Sequence, residues 1–121
     1  MPLHWTIDTR ARLVVATADG MVTLLDVDEL LISLAGAGAV PYRKLLDGRL
    51  ADIAMNLDEL TAIAAKIRAL HVQPVGPLAI VLPKDKSELL SRVLGALAAA
   101  DRPMRIFKDP QAARRWLDHL G

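Results

Sequence analysis

Apolar and polar residues alternate at the start of the chain, where Leu3, Trp5 and Ile7 are interleaved with His4 and Thr6. A period of two predicts a strand with one face buried and one face wet. Leu13 to Ala18 is apolar and β-branched, and Asp8-Thr9-Arg10 separates the two runs, so together they read as an antiparallel hairpin without an Asn-Gly turn. Asp19-Gly20 is expected to end the second strand. The period then changes: Leu24, Val27, Leu31 and Leu34 recur every three or four residues, with Thr23 placed to cap a helix and Gly36 and Gly38 to stop it.

Tyr42 to Leu46 reads as the third strand, closed by Asp47-Gly48-Arg49. Asn56 and Glu59 have the spacing of a capping box, ahead of Leu57, Leu60, Ile63, Ala64, Ile67 and Leu70 at helical intervals. After Pro74, Gly76 and Pro77, the run Leu78-Ala79-Ile80-Val81-Leu82 has no alternation, as expected of a strand in the middle of a sheet with both faces covered. Asp85 and Glu88 repeat the cap spacing before a helix carrying Leu89, Leu90, Val93, Leu94 and Leu97. Met104 to Phe107 is a short strand. Asp109 then caps, and Pro110 opens, a last helix whose Ala113, Trp116, Leu117 and Leu120 face inward. The predicted order is ββαβαβαβα: an α/β fold with a mostly parallel sheet, an N-terminal antiparallel hairpin and about four helices, in one domain spanning residues 1–121.

Composition narrows the functions this frame can carry. Hydrophobic residues make up 53% of the 121, enough for one core, but aromatics only 3%, too few for a base-stacking surface. A formal net charge of +1 gives no bulk attraction to phosphate backbones or anionic membranes, so no nucleic-acid partner is expected. With no cysteine, thiolate catalysis, disulfides and zinc-thiolate sites are excluded. No uncharged run approaches the roughly 20 apolar residues of a membrane span, and Met1 to Ile7 lacks the form of a signal peptide. A cytoplasmic location is the expectation.

Three pieces of the chain resemble one family. They are Gly20-Met21-Val22-Thr23 leading into the first helix, Leu46-Asp47-Gly48-Arg49 after the third strand, and Phe107-Lys108-Asp109 followed by Ala113, Trp116 and Leu117. With the element order, they make the chain similar to the SpoIIAA-like proteins, relatives of STAS domains that also show similarity to the CRAL-TRIO lipid-transfer fold. The resemblance implies a regulatory or binding module rather than an enzyme. It also implies a position for a phosphorylatable serine, which anti-anti-sigma members carry in an Asp-Ser pair at the start of the helix after the third strand. The matching stretch here, Met55-Asn56-Leu57-Asp58, has no hydroxyl, and Thr61 lies a turn further on.

The remaining chemistry is sparse. His4, His71 and His119 are too scattered for a metal-binding pair, and Ser33, Ser87 and Ser91 sit in no nucleophile motif, so no catalytic residue, metal or cofactor is assigned. Gly36-Ala37-Gly38 follows a helix and lacks the third glycine of a dinucleotide fingerprint. Arg102, Arg105, Lys108, Arg114 and Arg115 make the last quarter locally basic and read as a solvated face. Asp47 and Arg49 are the best polar candidates, because ligands of open α/β sheets collect at the carboxyl ends of strands. Arg49 is expected to offer a bidentate contact to an anion, Ile53 and Met55 apolar contact, and the cap at Asn56 backbone N–H groups. The plainer alternative is that Asp47 satisfies nearby backbone and Arg49 pairs with a surface carboxylate, while Leu50 to Met55 only covers the sheet. The expected function is a non-catalytic regulatory or protein-interaction module, with a domain for a small hydrophobic ligand or lipid as the alternative. The partner is an unknown protein or a small hydrophobic or anionic ligand, and a homodimer is left open.

Overall fold

The computed structural model describes residues 3–53, 56, 58–59, 61–62, 65, 76–82 and 104–120. Within them the chain runs through β1 (Leu3–Asp8), β2 (Leu13–Val22), α1 (Leu24–Gly36), β3 (Arg43–Ile53), β4 (Leu78–Val81), β5 (Met104–Phe107) and α2 (Pro110–Leu120). The strands form one sheet in the order β1-β2-β3-β4-β5, antiparallel between β1 and β2 and parallel thereafter. The mixed, mostly parallel α/β sheet expected from the hydrophobic pattern is therefore present. Residues 58, 59, 61, 62 and 65 are also helical, but the extent of that helix lies outside the described residues, as does the whole helix expected after Asp85.

The period of two sorts the hairpin between the two faces of the sheet. Leu3, Trp5 and Ile7 point to the same side as Ala18, Ala16 and Val14, their partners in β2, while His4, Thr6 and Asp8 stand exposed on the other. Asp8 replaces the missing Asn-Gly turn. Its Oδ1 accepts the backbone N–H groups of Arg10 and Ala11, both at 3.0 Å, and Arg12 takes a left-handed φ of 53° to bring the chain back. Thr23 caps α1 as expected, in a reciprocal box with Asp26, and Gly38 leaves the helix with a φ of 67°.

Helices cover opposite faces. Val27 and Leu30 of α1 pack over Leu3, Ala16, Ala18, Val22 and Ala51, while Leu34 closes on Val14, Ala39 and Val40. On the other face, Ala113 and Leu117 of α2 are fully buried against Leu13, Leu45, Ala79 and Val81. Asp109 caps α2 by accepting the Gln111 N–H at 3.1 Å, in keeping with the sequence reading. Trp116 packs against Phe107 with ring centroids 5.7 Å apart, whereas Leu120, expected inside, is 44% exposed on the last turn. β4 is buried throughout, as its five-residue apolar run requires, yet the middle place in the sheet belongs to β3.

The two-faced core is tied together at one corner by Arg43. Its Nη2 donates to the Ala11 carbonyl at 2.8 Å and its Nη1 to the Leu117 carbonyl at 3.0 Å, joining the hairpin turn, β3 and the C-terminus of α2. Leu117 is among the last residues of α2, whose carbonyls have no partner inside the helix, so the guanidinium supplies one.

Candidate functional site

The Asp47-Gly48-Arg49 stretch, expected to end the third strand, lies inside it. Thr17 pairs with Asp47 and Asp19 with Leu50, so β3 has one more residue than β2 between these pairs: a bulge at Gly48 and Arg49. Beyond it, Asp19 to Val22 runs beside Leu50 to Ile53, which is why β2 also passes through Asp19-Gly20 instead of stopping there. Gly20 accommodates this with a φ of 89°. Gly48 is closely approached without a left-handed φ. A Cβ there would stand 2.9 Å from Leu82 Cδ2 and 3.4 Å from the Val81 carbonyl oxygen, so the bulge presses against the end of β4.

Asp47 and Arg49 are consequently in the middle strand, level with the carboxyl end of β4, and not at the carboxyl end of their own strand or at a sheet edge. Two residues apart, their side chains meet. Arg49 Nε donates to Asp47 Oδ1 at 3.0 Å and Nη2 to Oδ2 at 2.8 Å, and the Arg49 backbone N–H adds a contact to Oδ1 at 3.2 Å. The side-chain hydrogen bonds from Arg49 hold the Asp47 carboxyl below the usual aspartate range, against the opposing effect of its own partial burial. Asp47 in turn raises the Arg49 guanidinium, with a smaller contribution from Asp109. Asp47 thus satisfies a backbone N–H, and the carboxylate that pairs with Arg49 is Asp47 itself. The Nε–Nη2 fork expected to receive an external anion is thereby occupied, and among the described residues Nη1 is the part of the guanidinium left uncommitted.

The other expected site residues fare differently. Asn56 caps the helical residues that follow it: its Oδ1 accepts the Glu59 N–H at 2.9 Å and its own N–H donates to Glu59 Oε1 at 3.3 Å. Both of those N–H groups are used within the box. Ile53 ends β3, paired in register with Val22, and Met55 lies outside the described residues. Among the described residues no group of three or more metal-ligating side chains occurs, and no helix is long and apolar enough to cross a membrane.

A scan against known protein families finds no match, and no curated protein matches either. Comparison of folds does find a match. The crystal structure of an uncharacterised DUF3478-family protein from Shewanella loihica PV-4, described as having a SpoIIAA-like fold, superposes with a TM-score of 0.67 over 95% of this chain and 93% of that one. This chain has a SpoIIAA-like fold. Sequence identity is 21%, so the likeness is one of architecture. Asn56, in the stretch that the sequence resemblance sets against an Asp-Ser pair, is a helix cap, and Thr61 is exposed among the helical residues beyond it.

The expectation that β2 stops at Asp19-Gly20 hid one feature of this end of the sheet. Past the bulge, β2 and β3 continue together beyond the Asp47–Val81 pair that ends the described pairing with β4, while α2 packs before the bulge, on Leu13, Leu45, Ala79 and Val81. On the same face past the bulge lie Asp19, Met21, Leu50 and Asp52, all exposed. Met21 is 63% exposed and Leu50 67% exposed, diagonal neighbours across the two strands. Their sequence signal was present in the alternation of Thr17, Asp19 and Met21 with Ala18, Gly20 and Val22. It was masked by reading Asp-Gly as a stop.

Proposed function

We propose that this SpoIIAA-like chain is a non-catalytic regulatory module that engages a protein partner through the open face of the β2–β3 ribbon. Met21 and Leu50 are the apolar anchors, and the Arg49–Asp47 pair is the polar flank. The observation that carries this reading is the placing of two large apolar side chains as diagonal neighbours on paired strands, both mostly in water. Isolated exposed apolar residues are ordinary, but adjacent ones on an ordered surface mark contact sites. Met21 supplies a flexible, polarisable contact, and Arg49, anchored through Nε and Nη2, presents Nη1 with little loss of side-chain freedom.

The experiment is affinity capture from the native cell with the parent chain and with Leu50→Asp in parallel, followed by identification of the retained proteins. Leu50 is exposed, so the variant folds, and a partner held on this face is lost from it while retained by the parent. A partner captured equally by both would place the contact elsewhere. A small apolar molecule found by native mass spectrometry in both forms, with no protein partner, would replace this reading by the hydrophobic-ligand one.

A further inference from the structure

The sheet has two outer strands, and they are built differently. β5 is short, Met104–Phe107, and carries Arg105 exposed, which discourages another strand from docking. β1 is longer, pairs with β2 without a bulge, and contains neither proline nor lysine between Leu3 and Asp8. It is the outermost strand among the described residues. Such an edge offers a row of backbone donors and acceptors to any strand of matching pattern.

The strand that matches is β1 of a second copy. A two-fold axis normal to the sheet keeps each face on its own side and sets two β1 strands antiparallel. With Thr6 opposite Thr6 of the second copy, His4 falls opposite Asp8 and Asp8 opposite His4 on the wet face, while Trp5 falls opposite Ile7 on the other. The strand therefore sets a hydrogen-bond donor opposite an acceptor at both ends of this register. Asp8 is suited to the contact because the turn uses its Oδ1, leaving Oδ2 as the acceptor for the His4 imidazole N–H. Trp5 and Ile7 are only half-buried in the single copy, so their pairing removes further apolar surface from water. The geometry points to a homodimer in which two copies join edge to edge through β1, in the register that opposes Thr6 to itself.

The test exploits that self-opposition. Thr6 is exposed on the wet face, so neither Thr6→Lys nor Thr6→Glu disturbs the fold, which circular dichroism verifies. In the dimer each substitution places two like charges directly opposite one another. Sedimentation equilibrium is run from about 10 µM to about 500 µM, a range suited to an interface of modest area. The parent is expected to dimerise, each variant alone to run as a monomer, and an equimolar mixture of the two variants to regain the dimer. His4→Glu, which sets a carboxylate opposite Asp8, is expected to weaken the parent association at least about tenfold. A parent that stays monomeric, a variant that dimerises alone as the parent does, or a mixture that stays monomeric would each overturn the proposal.

Discussion

Arg43 offers a direct measure of how much the corner between the hairpin, β3 and α2 contributes to stability. Arg43→Ala removes the contacts to the Ala11 and Leu117 carbonyls, at 2.8 and 3.0 Å, and a longer 3.5 Å contact to Asp118. Deleting a hydrogen bond to a charged group costs about 1.5–3 kcal/mol when the partner is left buried. Here the side chain is 20% exposed, so water recovers part of each bond, and the two together are worth about 2–3 kcal/mol. The Asp118 end of the ion pair is 56% exposed and contributes under about 0.5 kcal/mol. The assay is urea unfolding of the parent, Arg43→Ala, Arg43→Lys and Asp118→Ala, compared at constant m-value. Arg43→Lys is expected to lose about half of the Arg43→Ala effect, because one ammonium cannot span both carbonyls as a guanidinium does. If Arg43→Ala lay within about 0.5 kcal/mol of the parent, or Asp118→Ala cost as much as Arg43→Ala, the reasoning would be wrong.

Three further outcomes follow from the structure. Ile80 is buried in β4 against Leu46, Met104 and Ile106, so Ile80→Asp is expected to cost several kcal/mol and abolish soluble expression, whereas Ile80→Val costs about 1 kcal/mol in urea unfolding. Asn56→Ala removes the acceptor for the Glu59 N–H and should lower stability by about 1 kcal/mol, read from the same unfolding midpoint. Because the folded-state pKa of Asp47 is depressed, its contribution is full above the ordinary aspartate value and is lost as pH falls through the folded one. Asp47→Asn should therefore reduce stability at neutral pH and show a flatter decline in acid than the parent, and identical acid profiles would refute the assignment.

What the sequence conveyed and what it concealed divide along a physical line. The caps at Thr23, Asn56 and Asp109 are local arrangements, set by side chains that reach backbone groups a few residues away, and all three read correctly. The Leu78 to Val81 strand read correctly because burial on both faces leaves an unbroken apolar run. Asp19-Gly20 and Asp47-Gly48 misled because the same dipeptide serves a turn or a bulge. Which one forms depends on whether a neighbouring strand continues alongside, a matter settled some thirty residues away. The candidate site inherited that error: Asp47 and Arg49 were recognised as a pair of interest, but their mutual ion pair follows only once β3 is known to continue through them. Met21 was overlooked for the same reason, and Leu50 was read only as part of the Leu50 to Met55 segment beside the pair.

The unbroken strand order also bears on how the chain is assembled as it is made. Each strand pairs with the one synthesised just before it, so the sheet can grow outward from the N-terminal hairpin without waiting for a distant segment. Every intermediate of this kind has an exposed growing edge, first β2, then β3, then β4, each protected only when its successor arrives. The face lined by Leu45, Ala79 and Val81 stays open even after β5 has paired, because α2, which packs on it, follows β5 in the chain. The window for misassociation on that face thus closes only with Ala113 and Leu117.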